Sequence, residues 1–438
     1  MDRSHALVRG LGPWQAASLV VGTIIGTGVF LKTATMAQLG GSALWVLAAW
    51  GAAGLLSFAG AMTYAELGAM YPDAGGEYVY LRKGYGPMLG YLYAWNRFWI
   101  GTPGSIAAYA AGTATFLGTG GNQLLAIGVI ALFTALNCLN VRAGGTLQTV
   151  MTIGKVLVIA ALALGAIGAP EGDWARVDSG SGFPGWGPFG AMVLAALWAF
   201  DGWNNLPMAA GEVREPSRNV PRAIVGGMLV VVAIYALVNV GYFHALPFAE
   251  VASSASNAFP AAPSVGEKVA RQFLGGTAAT AVAAAMVLSA LSAMNGSMLT
   301  GARVPYAAAR DGLAPAALAR LSRSRVPVIA VLVQGCVACV LVASARFDQL
   351  TDAVVFASWL FYALNAGSVL LLRHREPERE RPFRVPGFPV VPIVFVVLAV
   401  LLLVNTFITA PAISIFGVGT TALGAIVYAL FYARRNAR

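Results

Sequence analysis

The chain has 438 residues, of which 58% are hydrophobic and only 11% carry a charge. Soluble domains carry about 25% charged residues because their surfaces face water, so this composition excludes an ordinary soluble protein. The formal net charge is +10, but the sequence shows no basic soluble surface, so we expect no binding to nucleic acid. The long apolar runs indicate membrane spans of about 20 residues, which must be helical because lipid offers the backbone no hydrogen-bond partner.

The apolar segments predict an all-α polytopic membrane protein with twelve transmembrane helices in the lipid bilayer. The predicted spans are residues 13–38, 42–70, 87–117, 122–140, 146–169, 187–211, 221–246, 272–302, 326–345, 350–373, 388–408 and 411–433. Most of the 28 lysines and arginines fall in connections on the same side as both chain ends, and the opposite side carries only Arg176, Lys268, Arg271 and Arg346. Positive charge marks the cytoplasmic side, so we predict that residues 1–12 and 434–438 are cytoplasmic.

The first and sixth spans contain helix-breaking sequence. The first has three glycines, Gly22, Gly26 and Gly28, and each weakens a helix by about 1 kcal/mol relative to alanine. The sixth contains Asp201 and Gly202, followed closely by two asparagines and a proline. Interrupted spans at corresponding positions of two halves indicate the binding site of a secondary transporter.

The spacing of the two interrupted spans predicts an internal repeat. They are five spans apart, so residues 13–169 and 187–373 are predicted to form two repeats of five spans each. Because five is odd, the two repeats would have opposite orientations in the membrane. Residues 388–433 would supply two additional spans.

The break at Gly26, Thr27 and Gly28 has the groups that recognise an amino acid. Amide N–H groups at the start of a helix, with the positive end of its dipole, bind an anion such as a carboxylate. The preceding half-helix ends near Thr23 and Ile24 with free carbonyl oxygens, which accept hydrogen bonds from an ammonium group. Together these features fit the zwitterion of an α-amino acid. Close helix packing through small residues is the alternative interpretation of this segment alone.

Three side chains at membrane depth are further candidates. Trp198 precedes the second break, where its ring would either gate the site or pack between helices. Asp201 is an intramembrane carboxylate, a costly feature that indicates function. It would contact a substrate cation, bind a proton or cap the following half-helix. Lys155 lies well inside the fifth span, where a buried ammonium needs carbonyl or carboxylate partners and can lose its proton.

The remaining polar residues indicate no other chemistry. The acids Glu66, Glu77 and Glu212 lie in charged clusters near span ends, where we expect solvated or interfacial ion pairs. The three cysteines fall inside apolar runs, and the sequence has no phosphate-binding loop. We therefore predict no enzymatic activity, no cofactor and no metal site.

Several longer motifs carry a resemblance to a known family. They are GTIIGTGVF at 22–30, YAELGAMYPDAGGEYVYLRKGYGP at 64–87, LWAFDGWNNL at 197–206, EVREPSRNVPRAI at 212–224, NGSMLTGARVPYAAARDGLAP at 295–315 and RPFRVPGFPVVP at 381–392. Together they resemble the amino acid–polyamine–organocation superfamily, and within it a bacterial member of the L-type amino acid transporter branch. The resemblance implies a LeuT-type fold of five-plus-five inverted repeats, with helices 1 and 6 interrupted and two extra spans.

The resemblance also implies roles for individual residues. The amides of Gly26, Thr27 and Gly28 would bind the substrate carboxylate, and Lys155 would occupy the place of sodium. The other substrate-binding candidates, near the amino group, are Ile24, Trp198, Ala199, Asp201 and Gly202, with Trp198 also the gate. The candidates for the side-chain pocket are Ile106, Asn295 and Ser358. Asp201 stands where many L-type members have Gly or Ser, which favours cationic as well as neutral substrates.

The sequence therefore predicts a sodium-independent exchanger of neutral L-amino acids in a prokaryotic cytoplasmic membrane, with cationic substrates as an open alternative. A proton-coupled symporter that uses Lys155 is the first rival, and a non-transporting membrane receptor is the second. Animal members of the branch couple to a glycoprotein subunit through a cysteine. Residues 117–123 contain no cysteine, so we expect no disulfide-linked heavy-chain subunit. The oligomeric state and the amino acid carried stay open.

Overall fold

The structure is a computed structural model that describes residues 7–119, 122–178, 180, 182–256, 258–259, 261–344, 347–409 and 411–432. Within these residues the chain forms α-helices joined by short turns and loops. The helices are α1 (Pro13–Ile24), α2 (Gly28–Gly40), α3 (Ala43–Met70), α4 (Glu77–Tyr85), α5 (Pro87–Asn96), α6 (Thr102–Phe116), α7 (Gln123–Leu139), α8 (Val141–Ile167), α9 (Trp186–Phe200), α10 (Asn205–Met208), α11 (Pro216–Ala245), α12 (Phe248–Ala252), α13 (Val265–Leu274), α14 (Ala278–Gly301), α15 (Arg303–Arg310), α16 (Val328–Ser344), α17 (Phe347–Arg375), α18 (Val390–Thr409) and α19 (Pro411–Phe431). Residues 1–6 and 434–438 of the predicted cytoplasmic ends, and Arg346, lie outside the described residues.

Seven helical stretches of the described chain are long and apolar enough to cross a membrane. Helices α7, α9 and α16 are also apolar, but they are shorter. The outward faces of α18 and α19 expose large apolar side chains, among them Leu401, Ile408, Ile415 and Leu430. A continuous exposed apolar surface of this kind fits lipid and not water. The chain is therefore an integral membrane protein with an all-helical fold.

Two of the apolar stretches are interrupted. Helix α1 ends at Ile24 and α2 begins at Gly28, although residues 13–40 form a single apolar stretch. Helix α9 ends at Phe200, and after a turn the short α10 begins at Asn205. Gly202, in that turn, has a φ of +128°, which side-chain-bearing residues rarely adopt. Helix α1 packs against α8, α11 and α14, and α9 packs against α2 and α3, so both interruptions lie inside the bundle.

The helical run that contains α5 and α6 carries a π-helical turn at Arg97–Gly101. Pro103 follows this turn and explains it. A proline inside a helix has no amide hydrogen to donate, and its ring clashes with the carbonyl four residues earlier, so the backbone widens locally. The side chain of Arg97 is only 6% exposed, so the turn lies beside a buried cation.

A short backbone pairing joins the two interrupted stretches on one side of the molecule. The Leu11 amide donates to the Glu212 carbonyl, and the Arg214 amide donates to the Leu11 carbonyl, both at 2.9 Å. The start of α1 is therefore tied to the segment that follows α10.

The acids expected in solvated or interfacial clusters are in fact fully buried, which corrects that expectation. Glu212 forms a bidentate ion pair with Arg303, with N–O distances of 2.8 and 2.9 Å. Glu66 does the same with Arg373, at 2.8 and 2.6 Å, and accepts a 2.7 Å hydrogen bond from the Val385 amide. Paired guanidinium groups offset the cost of burying these carboxylates, which is why they lie inside the protein and not at its surface.

Candidate functional site

The first break presents three consecutive backbone amides without a partner. Among the described residues, the N–H groups of Gly26, Thr27 and Gly28 donate no hydrogen bond to any backbone or side-chain acceptor. Thr27 is the N-cap of α2, so these donors stand at the start of a 13-residue helix with the positive end of its dipole behind them. Unpartnered amides at the start of a helix are groups to which small anions such as carboxylates bind in proteins.

The carbonyl side of the same break is occupied by side-chain donors. Lys155 Nζ donates to the Gly22 carbonyl at 2.5 Å and also to the Ile25 carbonyl. Ser289 Oγ lies 3.0 Å from the Ile25 carbonyl oxygen and 2.9 Å from the Gly26 carbonyl oxygen, and it can donate its one hydrogen to either. Lys155 is 1% exposed, and its ammonium donates to backbone carbonyl oxygens. Carbonyl oxygens in such an arrangement would also hold a bound metal cation.

The second break lies directly against the first. Thr23 Oγ1 lies 2.9 Å from the Gly202 carbonyl oxygen and 2.6 Å from the Leu19 carbonyl oxygen of its own helix, and its one hydrogen can be donated to either. A Cβ atom on Gly202 would fall 2.8 Å from the Thr23 carbonyl carbon and 2.9 Å from the Ile24 nitrogen, which is closer than real Cβ contacts. Only glycine therefore allows the two broken helices to meet here. The structure thus brings the two sequence-predicted breaks together.

Gly28 and Ala199 bring α2, which follows the first break, into contact with α9, which precedes the second break. A Cβ on Gly28 would lie 2.6 Å from the Ala199 Cβ, so α2 and α9 approach as closely as their side chains permit. Gly28 therefore has a packing function as well as a free amide. Gly26 differs, because a Cβ added there would meet nothing closer than the ring of Tyr109 at 3.6 Å, which is an ordinary contact distance.

Tyr235 links the two breaks and was not among the residues singled out from the sequence. Its hydroxyl lies 2.9 Å from the Ala199 carbonyl and 3.3 Å from the Ile24 carbonyl, and is positioned to donate to either. A tyrosine in an apolar run is usually a packing residue, so its sequence context gave no signal. Only the fold places its hydroxyl between the carbonyl ends of α1 and α9.

The structure gives Trp198 and Asp201 specific surroundings. Trp198 is partly exposed, and its carbonyl accepts a 3.3 Å hydrogen bond from the Asp201 amide. Asp201 Oδ1 accepts a 2.5 Å hydrogen bond from the hydroxyl of Tyr362. The N-cap of α10 is Asn204, and no side chain among the described residues caps that helix. The capping interpretation of Asp201 therefore has no support from these contacts.

The three side-chain pocket candidates lie in different environments. Ile106 is fully buried in an apolar cluster with residues of α7, α8, α14 and α16. Asn295 is also fully buried, and its amide bonds to Asn137 at 3.0 Å and Gln148 at 2.8 Å, so its polar atoms hold helices together. Ser358 lines a small polar cavity. Ile106 and Asn295 thus contact neighbouring helices, and Ser358 shares its cavity with Asn204 of the second break.

That cavity is the main feature the sequence did not indicate. Its volume of about 10 Å³ suits a single water molecule, and Glu77, Arg97, Asn204 and Tyr362 are among its lining residues. Glu77 is fully buried, where interfacial contacts had been expected. The hydrogen-bond donors to its carboxylate are Tyr64 at 2.5 Å, Asn204 at 3.1 Å, Asn365 at 3.5 Å and Tyr93. The sequence did contain a signal for Arg97, because a charged residue at membrane depth indicates function.

Comparison with known proteins identifies the class of this membrane protein. The amino acid permease family profile matches residues 11–432, which is nearly the whole chain. The chain belongs to this family, within the amino acid–polyamine–organocation superfamily. It is an amino acid transporter of the L-type kind, and its relatives are transporters and not enzymes.

The relatives include bacterial and animal proteins. The chain is 32% identical to the serine/threonine exchanger SteT of Bacillus subtilis, over 92% of this chain and 92% of that protein. It is 31% identical to the human b(0,+)-type amino acid transporter 1, over 93% of this chain and 85% of that protein. It is 29% identical to the human large neutral amino acids transporter small subunit 2, over 97% and 81% of the two chains.

Proposed function

We propose that this protein is a sodium-independent exchanger of neutral L-amino acids. The observation that carries the proposal is the run of three unpartnered amides at Gly26–Gly28, beside carbonyl groups at the ends of α1 and α9. A substrate carboxylate would accept hydrogen bonds from the amides. Its ammonium group would donate to the carbonyls of Ile24, Trp198 and Asp201. The site would then recognise the part that all α-amino acids share.

Lys155 supports sodium independence. Its ammonium donates to the Gly22 and Ile25 carbonyls, so the negative end of the first half-helix already has a positive partner. A transporter with this built-in charge needs no sodium ion to stabilise the break. We infer that Lys155 holds the break in its binding-competent geometry.

We further propose that the chain has twelve spans, with residues 13–169 and 187–373 as inverted five-span repeats of the LeuT type and 388–433 as two additional spans. The interruptions fall in the first span of each proposed repeat, which supports this assignment. The membrane would be a prokaryotic cytoplasmic membrane with both chain ends inside, as the arginine-rich connections favour. No disulfide-linked subunit is proposed, since residues 117–123 contain no cysteine.

Alternating access would follow from the contact between the breaks. Substrate binding would hold α1 and α9 together at Thr23 and Gly202, which are already in contact. The backbone pairing of Leu11 with residues 212–214 would carry that movement to the other end of both broken helices. Trp198, partly exposed beside the second break, would close over the substrate as a gate.

Neutral substrates are proposed because the bacterial relative at 32% identity is named a serine/threonine exchanger. Purified protein in liposomes tests this. We expect radiolabelled L-serine or L-alanine to enter only when the liposomes are preloaded with an amino acid, and to do so equally well with choline in place of sodium. Uptake driven by a proton gradient into empty liposomes would instead establish the symporter that uses Lys155. Absence of flux with every standard amino acid would overturn transport.

A further inference from the structure

A cleft at the start of α11 is separate from the amino acid site. Arg218 and Arg222 of α11 form one wall, and Pro382 and Phe383, in the connection between α17 and α18, form the other. The volume of the cleft is about 400 Å³, within the range of about 300–1,000 Å³ that is typical of ligand sites. Its lining residues differ from those of the polar cavity beside the second break.

The charge of this cleft is positive and poorly compensated. The Arg222 guanidinium has no hydrogen-bond or ion-pair partner within the described part of the chain. Arg218 lies 3.7 Å from the carboxylate of Glu215, but both side chains are largely exposed, so their pairing contributes little. The lining residues, all of which the structure describes, include no acid. The cleft therefore attracts an anion.

Other arginines near the same connections are used differently. Arg303 pairs with the buried Glu212, and Arg373 pairs with the buried Glu66. These guanidinium groups offset the cost of burying a carboxylate, so the fold itself explains them. Arg222 is exposed, and no carboxylate among the described residues pairs with it. Solvation would explain an isolated exposed arginine, but the shape of the cleft indicates more.

The second wall of the cleft is held in place by buried contacts. Arg381 donates a 2.7 Å hydrogen bond to the Glu376 carbonyl, and the Val385 amide donates to the carboxylate of Glu66 at 2.7 Å. The two wall residues lie between these anchors, and Phe383 packs against the hydrophobic core. The cleft is therefore a defined part of the fold.

An apolar surface continues from the arginines along α11. Gly226 lies one turn after Arg222 and lines the cleft, and a Cβ atom there would meet nothing within 4 Å. Leu229 and Leu237 follow on the same helix face and are 53% and 41% exposed. A ligand with a negative head and an apolar tail would contact both parts of this surface, whereas a small anion would contact only the arginines.

We propose that the cleft binds an anionic phospholipid, with its phosphate at Arg218 and Arg222 and one acyl chain along Gly226, Leu229 and Leu237. Basic pockets beside membrane helices bind such headgroups at the cytoplasmic surface. The inference goes beyond amino acid exchange and does not depend on it. Only the assignment to the cytoplasmic leaflet depends on the proposed topology.

The test is the affinity of the purified full-length protein for dioleoyl phosphatidylglycerol, measured by titrating the lipid in native mass spectrometry. Dioleoyl phosphatidylcholine has the same chains but no net charge, and it should bind at least about tenfold more weakly. Arg222→Gln should lower the affinity for phosphatidylglycerol about fivefold, and Arg222→Gln combined with Arg218→Gln about 25-fold. The matched control combines Arg320→Gln with Arg323→Gln, two exposed arginines between α15 and α16, and should bind the lipid like wild type.

A second variant tests the shape of the site without changing its charge, and it keeps the inference testable if the arginine variants do not fold. Gly226→Phe would fill the path of the acyl chain and should weaken phosphatidylglycerol binding at least about fivefold. Gly128→Phe on α7 is its control, because a Cβ there also meets nothing within 4 Å, and it should bind like wild type.

Three outcomes would overturn the lipid site. They are equal affinity for the two lipids, equal loss of binding in the test variants and their controls, and displacement of the lipid by an equal concentration of inorganic phosphate. The last would show a site for small anions only. Failure of amino acid exchange is distinguishable, because this measurement involves no transport.

Discussion

Gly202 and Thr23 touch backbone to backbone, and the hydroxyl oxygen of Thr23 lies 2.9 Å from the Gly202 carbonyl oxygen, within hydrogen-bond distance. This contact joins two helix breaks that lie 179 residues apart in the sequence. Each break alone would be a weak point in a membrane span, because it leaves backbone groups unsatisfied. When the two breaks are joined, their contact supplies partners for some of the exposed backbone groups. The remaining backbone donors and acceptors are available to a ligand.

The first prediction concerns Gly202. Gly202→Ala should abolish exchange, because the new Cβ would lie 2.8 Å from the Thr23 carbonyl carbon and alanine disfavours a φ of +128°. Melting in detergent should show a destabilisation of about 1–3 kcal/mol. The control is Gly190→Ala on α9, where a Cβ meets nothing within 4 Å and both activity and melting should be retained. Wild-type exchange by the Gly202 variant would contradict the close contact.

The second prediction concerns Lys155. Lys155→Met keeps an unbranched side chain one atom shorter but leaves the Gly22 and Ile25 carbonyls without their ammonium, so exchange should fall at least about tenfold. Ser289→Ala removes only a neutral donor from the same break and should cost less, about fivefold. Size-exclusion profiles should show that both variants fold. Equal activity of Lys155→Met and wild type would remove the proposed role.

The third prediction concerns Tyr235. Tyr235→Phe deletes only the hydroxyl shared between the Ile24 and Ala199 carbonyls, so the helices should stay packed while the site loosens. We expect the serine concentration for half-maximal uptake to rise by about five- to tenfold, since a buried hydrogen bond contributes about 1 kcal/mol. Tyr242→Phe on the same helix is the control, because its buried hydroxyl has no recorded partner within the described residues. Similar losses in the two variants would count against the bridging role.

The fourth prediction concerns the buried ion pair of Glu212 and Arg303. Arg303→Met leaves the Glu212 carboxylate buried without its guanidinium, which costs about 3–5 kcal/mol. The double variant Glu212→Gln with Arg303→Met removes both charges and should recover most of the lost stability. Thermal melting of the three proteins in the same detergent measures this. A double variant as unstable as the single one would show that charge is not the cause.

The composition and local patterns of the chain were enough for several conclusions. The membrane location, the helical fold and the family followed from apolar runs and motifs, and the findings confirm them. The break at Gly26–Gly28 was visible because glycine weakens a helix wherever it stands. The break at Asp201 and Gly202 was visible for the same reason. Lys155 was visible because a charge inside an apolar run has no local explanation. All of these are properties of a residue and its immediate neighbours.

Other features were decided only by the tertiary structure. Glu77 and Glu212 looked like span-end charges, but the helices that supply their partners bury them completely. Tyr235 and Ser289 reach the site from two separate helices, and no local pattern links them. The cost of an unpaired polar group at membrane depth depends on which partners the fold brings within hydrogen-bond distance. Which partners come together is a property of the packed helix bundle. The sequence therefore determined where the helices break, and the tertiary structure determined which residues complete the site.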